Sequence, residues 1–363
     1  MCQCQKSFVS KIAQQFRHAN SGQVVGNKML GKIVSINTYP YSCKMEIMTK
    51  QITKKQHFAP RFYFKRFAVD NMLQTLDIQK GKLIKPRPYS GVCYADFYYA
   101  VETGKEDETS QVFEQFFGEI EDKFAKEYDA IVDAILNYRP LTDEQLDILA
   151  WFMASLWIRS PHMRRQINKT MADGMKQITT LMASHPNFAD GAKKAMEEEG
   201  HRVTDEQIED ARKTFVSGEY ELTFDNNVNH LQLITNCEEF HRWFVIKKWR
   251  FYLAKGSKKF ITTDTPVVEV FNNTGKTMVE KMYSNHIAQR RHYFALTPEI
   301  LIELIDPLKS GKKQKRHAIT NDEMIIQSNL LLVRWSKDYA YANNKEYLED
   351  LLAFYTGVPT EVT

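Results

Sequence analysis

The sequence predicts an α+β protein, predominantly helical, with a small and mainly antiparallel sheet in its C-terminal half. Three observations predict this. Apolar residues recur at three- and four-residue steps through the middle of the chain, as on one face of a helix. Two Thr-Asp-Glu-Gln runs repeat the grammar of a helix start. From about Trp249 the texture changes to β-branched and aromatic runs broken by Gly, Asn and Pro. With 363 residues, 43% of them hydrophobic, the chain can bury a sizeable core.

Residues 1–47 are expected to be a poorly ordered basic extension. The first 45 contain no Asp or Glu and six Lys or Arg, with a weakly amphipathic start around Phe8, Ile12 and Phe16. They resemble a transit-type leader in composition but lack its arginine richness. Residues 48–363 are expected to form a single α+β domain, helical over about 105–240 and sheet-containing over about 241–355.

The clearest helix holds Phe113, Phe116, Phe117, Ile120, Phe124, Tyr128, Ile131 and Ile135 on one face. Next, Thr142 and Gln145 make a capping box, stapled by Leu141 and Leu146, and a second helix runs through Leu149, Phe152, Met153, Leu156 and Trp157. Pro161 should interrupt it before a periodic segment that continues to about Ser184. Thr204 and Gln207 repeat the capping box, with Val203 and Ile208 as the staple. Strands are expected at Arg250 to Leu253, Phe260 to Thr262, Val267 to Phe271 and Tyr293 to Leu296. Thr297-Pro-Glu-Ile300 reads as a helix start with Pro in its first turn. Closing helices are expected at Asp322 to Val333 and Glu346 to Phe354, and Lys309 to Arg316 as a solvated loop.

Composition and motifs narrow the function classes. No stretch approaches the eighteen or so apolar residues of a membrane span, so no membrane is expected. Five cysteines, an odd number in a long chain, suit a reducing compartment and a cytoplasmic location. There is no G-x-x-x-x-G-K-[ST], no G-x-G-x-x-G after a strand, no H-E-x-x-H and no G-x-S-x-G. Nucleotide-motor, dinucleotide, zincin and serine-hydrolase readings therefore have no motif behind them. The net charge is only +4, but residues 241–260 carry seven Lys or Arg and no acid, while 102–129 hold ten acids against three lysines. Such segregation fits an anionic partner or two faces of one protein meeting.

Three segments carry a resemblance: Gln56-His-Phe-Ala-Pro-Arg-Phe-Tyr-Phe-Lys-Arg-Phe67; Phe116 to Phe124 with Phe152 to Pro161; and Phe260-Ile-Thr-Thr-Asp-Thr-Pro-Val267, followed by Leu296-Thr-Pro298. In order and spacing they resemble a bacterial family known as domain of unknown function four-two-three-eight. Leu156, Thr265 and Thr297 depart from the Gln, Asn and Ser usual there. The resemblance implies an architecture and candidate positions but no reaction.

Among those positions, His57 could be a general base or metal ligand, and Arg61 could hold a phosphate or carboxylate bidentately. The alternative is a turn in which Phe58, Phe62, Phe64 and Phe67 fill the core. Glu121 lies at the edge of the apolar stripe, where a carboxylate is paired or functional, and Arg159 is the natural pairing partner. Asp264 sits between strand-like runs, as a turn residue or as a ligand. Were His57, Glu121 and Asp264 to converge, they would suit a catalytic Mg²⁺ or Mn²⁺. Lys247, Lys248 and Arg250, interleaved with Trp243, Phe244, Trp249, Phe251 and Tyr252, could meet phosphates and bases, or form a solvated face over a sheet core. These features predict a nucleic-acid-directed hydrolase, a metal-dependent nuclease of a bacterial defence or toxin system. The alternatives are a non-catalytic binding or sensing protein and an enzyme acting on a small anionic substrate.

Overall fold

The computed structural model describes residues 54–98, 101–102, 109–110, 112–198, 200–221, 226–271, 290–306 and 317–355. The basic extension expected at residues 1–47, the cysteines at 2, 4 and 43, and the loop expected at Lys309 to Arg316 lie outside them.

In chain order the described elements are β1 (Lys55–His57), α1 (Arg61–Lys65), β2 (Met72–Asp77), β3 (Lys82–Pro88), β4 (Tyr94–Asp96), β5 (Val101–Glu102) and β6 (Thr109–Ser110). A helical stretch follows, with α2 (Val112–Leu136), α3 (Asp143–Arg159), α4 (Pro161–Ala183), α5 (Phe188–Glu198), α6 (Asp205–Ser217) and α7 (Asn226–Val245). The chain then passes through β7 (Lys248–Ala254), β8 (Thr262–Thr263), β9 (Val267–Phe271), β10 (Arg290–Thr297), β11 (Ile300–Ile305), β12 (His317–Thr320), α8 (Asp322–Arg334), β13 (Tyr339–Ala342) and α9 (Lys345–Tyr355). The α+β class stands, and the described sheets are small and mostly antiparallel. No helix among the described residues is long and apolar enough to cross a membrane.

The chain divides into two compact units. In the smaller, whose described residues fall within 168–221, Ala183, Phe188, Ala192, Ile208 and Phe215 form a separate core. There the second capping box opens α6, with Thr204 Oγ1 accepting from Gln207 N at 3.3 Å and Gln207 Oε1 accepting from Thr204 N at 2.9 Å. Gly218 ends that helix in the left-handed conformation that favours glycine.

The larger unit holds the remaining described elements apart from α5, α6 and the part of α4 from Asn168 onward. Its α2 buries the stripe read from the sequence: Phe113, Phe117, Ile120, Phe124, Tyr128, Ile131 and Ile135 are all buried. Thr142 caps α3 through the first capping box. The helix ends at Arg159, because Pro161 cannot continue it and instead starts α4. Phe152 of α3 stacks on Phe124 of α2 with ring centroids 3.8 Å apart, which locks the two helices together.

Two larger sheets, beside the two-stranded pairs of β1 with β4 and β5 with β6, complete the described part of this unit. In the five-stranded one, β12-β7-β11-β10-β9, only the β12 to β7 pair is parallel. The four-stranded one, β3-β2-β13-β8, joins strands from both ends of the chain. The helix start expected at Thr297 is instead the turn between β10 and β11. Thr297 Oγ1 accepts from Glu299 N at 3.1 Å, and Ile300–Ile305 runs on as a strand. An all-apolar run such as Ile-Leu-Ile at Ile300 fits a buried strand as well as a helix, and pairing with β7 and β10 decides it.

Candidate functional site

His57 ends β1, opposite Tyr94 of β4, and Pro60 starts α1. The aromatics of this opening segment anchor it. Tyr63 stacks on Phe294, and its hydroxyl donates to Ala295 O at 2.7 Å; Phe64 and Phe67 are fully buried, and Phe62 packs on Phe124, Tyr128 and Phe152. With its rings fixed, the segment holds His57 and Arg61 towards α2 and the end of α3. There a cleft of about 270 Å³ is lined by His57, Pro60, Arg61, Phe62, Glu114, Phe117, Gly118, Glu121 and Arg159.

Four residues singled out in the sequence, His57, Arg61, Glu121 and Arg159, therefore meet in one place although 102 positions separate the first from the last (159 − 57). Glu114, Phe117, Gly118 and Glu121 belong to α2 at steps of three, one and three, so helical spacing puts them on one face. Gly118 is the notch in that face: a Cβ added there would meet nothing within 4 Å.

The charges are arranged in pairs. The pairing expected from sequence is present, with Arg159 Nη1 donating to Glu121 Oε1 at 2.6 Å. Arg159 is buried; its Nε donates to Ser155 O at 3.1 Å, and its guanidinium lies over the Phe117 ring, 4.6 Å from the centroid. Arg61, by contrast, is exposed, and its Nε donates to His57 Nε2 at 3.2 Å. A ring nitrogen that accepts is unprotonated, so the neutral His57 carries its proton on Nδ1.

Burial, then the Arg61 charge, hold the His57 pKa below its ordinary value, against the pull of a hydrogen bond to the Ser90 backbone. Both glutamates move the other way. Burial raises the Glu121 carboxyl, although Arg159 opposes it, and burial raises Glu114, opposed by the Arg159 charge and aided to a smaller extent by Glu121. The cleft thus combines a neutral histidine whose Nε2 accepts from Arg61, two carboxyls pushed towards protonation and two guanidinium groups. Such a set can bind an anion and move protons.

Asp264 does not line this cleft. It caps the turn before β13, where its carboxylate accepts from Lys337 N at 3.2 Å and Asp338 N at 2.9 Å, and its own N–H donates to Tyr339 O at 3.0 Å. Burial pushes its carboxyl up to about 6 in spite of those amides. The ligand set His57, Glu121 and Asp264 is therefore not assembled. Among the described residues no three His, Cys, Asp or Glu side chains are grouped to hold a metal ion.

The basic run lies on β7 and just before it. Lys247 is buried, paired with Asp306, with its ammonium 4.2 Å from the Trp243 ring centroid. Trp249 and Phe251 point into the core, whereas Lys248, Arg250 and Tyr252 alternate onto the opposite face of the sheet. Lys247 is committed inside the protein, while Lys248 and Arg250 belong to the sheet rather than to the cleft. Sequence reasoning missed Glu114 and Gly118. The available signal was positional: Glu114 precedes Glu121 by two helical turns, and Gly118 interrupts the best helix in the chain.

A family model described as a protein of unknown function (DUF4238) matches residues 55–346. No curated protein and no solved structure matches the chain.

Proposed function

The chain belongs to the DUF4238 family, whose description names no activity, so from the chemistry of the cleft we propose a hydrolase that cleaves nucleic-acid phosphodiesters. The observation that carries this reading is the convergence of His57, Arg61, Glu121 and Arg159 with Glu114 in one cleft. Arg61 and Arg159 would face the phosphate, as guanidinium groups suit its geometry. Binding would draw Arg61 off His57 Nε2, leaving that nitrogen to take a proton from an attacking water. As the water oxygen bonds to phosphorus, the bond to the leaving oxygen breaks, and a protonated Glu114 supplies that oxygen with its proton. The products are a phosphomonoester and an alcohol, and proton exchange with solvent resets both groups.

The test is incubation of the purified protein with labelled single- and double-stranded DNA and RNA, with Mg²⁺, with Mn²⁺ and with chelator, beside His57→Ala and Glu114→Gln. Cleavage by wild type and a loss of about a hundredfold or more in each variant is the expected result. Cleavage that survives chelator fits a reaction run by these side chains, whereas strict dependence on either ion moves the chemistry to ligands outside this set. Equal cleavage by wild type and His57→Ala would reject the site. A cytoplasmic defence or toxin role belongs to the same reading; growth arrest on expression of wild type but not of His57→Ala would support it.

A non-catalytic binding protein is the second reading. It is favoured by the commitment of Arg159 to Glu121, Ser155 and Phe117, which suits a structural ion pair. Unchanged substrates in every arm would establish it over the first.

A further inference from the structure

We infer that the outer face of the five-stranded sheet is a docking surface for single-stranded nucleic acid, built from Lys248, Arg250, Tyr252, Arg291 and Tyr293 around the buried carboxylate of Glu303. This deepens the phosphodiester reading by naming the form of the substrate.

Register places these side chains in rows. Directly paired residues of neighbouring strands share a face, so Lys248, Ile305 and Arg291 form one row across β7, β11 and β10, and Arg250, Glu303 and Tyr293 form the next. Tyr252, two residues beyond Arg250 on β7, continues the same face. Helices α3 and α7 cover the opposite face, where His292 packs among Trp157, Trp243 and Phe244.

Glu303 organises the surface. Its Oε1 accepts from Arg291 Nη1 at 3.1 Å and Tyr293 OH at 2.9 Å, and its Oε2 accepts from Arg250 Nη1 at 3.2 Å and Tyr252 OH at 2.7 Å. The carboxylate is 1% exposed, and burying it is tolerable only with such a full set of donors. The same bonds hold two arginines and two tyrosines in fixed positions. Among the described residues, three cations, Lys248, Arg250 and Arg291, share the face with this one carboxylate. A single acid cannot neutralise three bases, and Arg291 keeps 45% of its side chain in solvent. The surplus positive charge beside immobilised tyrosine rings matches a strand whose phosphates need cations and whose unpaired bases need stacking partners. A duplex hides its base faces and would use only the charge.

The test is fluorescence anisotropy in chelator, with a labelled oligothymidylate and the same strand annealed into a duplex. We expect tighter binding of the single strand. Arg291→Glu and Tyr293→Leu should each lower that affinity about tenfold, and Tyr293→Phe, which keeps the ring but removes one donor to Glu303, should lose less than Tyr293→Leu. Arg291→Ala should reduce the slope of log affinity against log salt by roughly 0.7, the share of one phosphate contact. Equal affinity for duplex overturns the inference. So does an unchanged salt slope in Arg291→Ala, which decides the matter if Arg291→Glu or Tyr293→Leu melts early. His57→Ala should retain wild-type affinity, so that loss of cleavage with binding intact concerns the hydrolase reading alone.

Discussion

Gly118 sits mid-helix on α2 with open space where its side chain would be, an unfavourable choice for a helix unless the space is used. Replacing it by Ala should stabilise the protein by about 0.5–1 kcal/mol, since glycine is the poorer helix former. Gly118→Leu should fill the cleft and abolish cleavage and binding of inorganic phosphate while the protein still melts cooperatively; a leucine variant with full activity would separate the cleft from function. At His57, phosphate that draws Arg61 away should raise the imidazole pKa, because an anion replaces a donating cation. Titration of the His57 ring resonance by NMR with and without phosphate reads this directly, and an unmoved midpoint would mean that the anion binds elsewhere. Asp264 gives a stability prediction. Its folded-state carboxyl titrates near 6 against an ordinary 3.8, so the folded state holds a proton that the unfolded state has released. Stability from this group is therefore greatest below 3.8 and declines as pH rises towards 6. Denaturant melts across that window should show Asp264→Asn improving relative to wild type as pH rises, although it loses one amide acceptor. Side-chain chemistry, with the apolar stripe that puts Glu121 at its edge, singled out His57, Arg61, Glu121 and Arg159. It did not single out Glu114, one acid among ten in its stretch, or Gly118, which reads locally as a helix breaker.

At the scale of elements, what could be read depended on how far apart the deciding residues lie. Helices α2 and α3 were legible because period, caps and the Pro161 stop all fall within a few turns of one another. The turn at Thr297 was not, because Pro in a first turn fits a helix as well as it fits a hairpin. Two distant contacts settle it: Ala254 N donates to Glu299 O at 2.9 Å, and Phe260 N donates to Pro298 O at 2.8 Å. The α2 to α3 contact carries the cleft, since Glu114, Gly118 and Glu121 come from one helix and Arg159 from the other. Phe152→Ala would remove the ring stacked on Phe124 and should cost about 3–5 kcal/mol. Because the lost ring also supports Phe62, phosphate affinity should fall with stability. A variant that lost the stability but kept wild-type affinity would show that the cleft does not depend on this packing.

Across the whole molecule, the four-stranded sheet ties sequence-distant segments together, and no local pattern could announce it. Strands β2 and β3 read poorly from sequence: Pro86 and Pro88 argue against a central strand, and they are accommodated because β3 lies at the sheet edge. The inner neighbour of β2 is β13, more than 250 residues later, with Tyr339 opposite Asp77 and Ala342 opposite Gln74. The same strand pairs with β8 on its other side. The segment leading into β13 supplies the Lys337 and Asp338 amides held by Asp264, and Asp338 O accepts from Ile78 N at 2.9 Å. A chain stopped after Trp335 would leave β2 and β8 without their common partner and Asp264 as a buried carboxylate deprived of both amides. Unpaired strand edges and an unsatisfied buried charge are each costly, and together they should abolish the cooperative thermal transition and the near-ultraviolet circular dichroism signal of the packed tyrosines. A truncated chain that still melted cooperatively near the wild-type temperature would show that β13 only decorates a unit already complete without it.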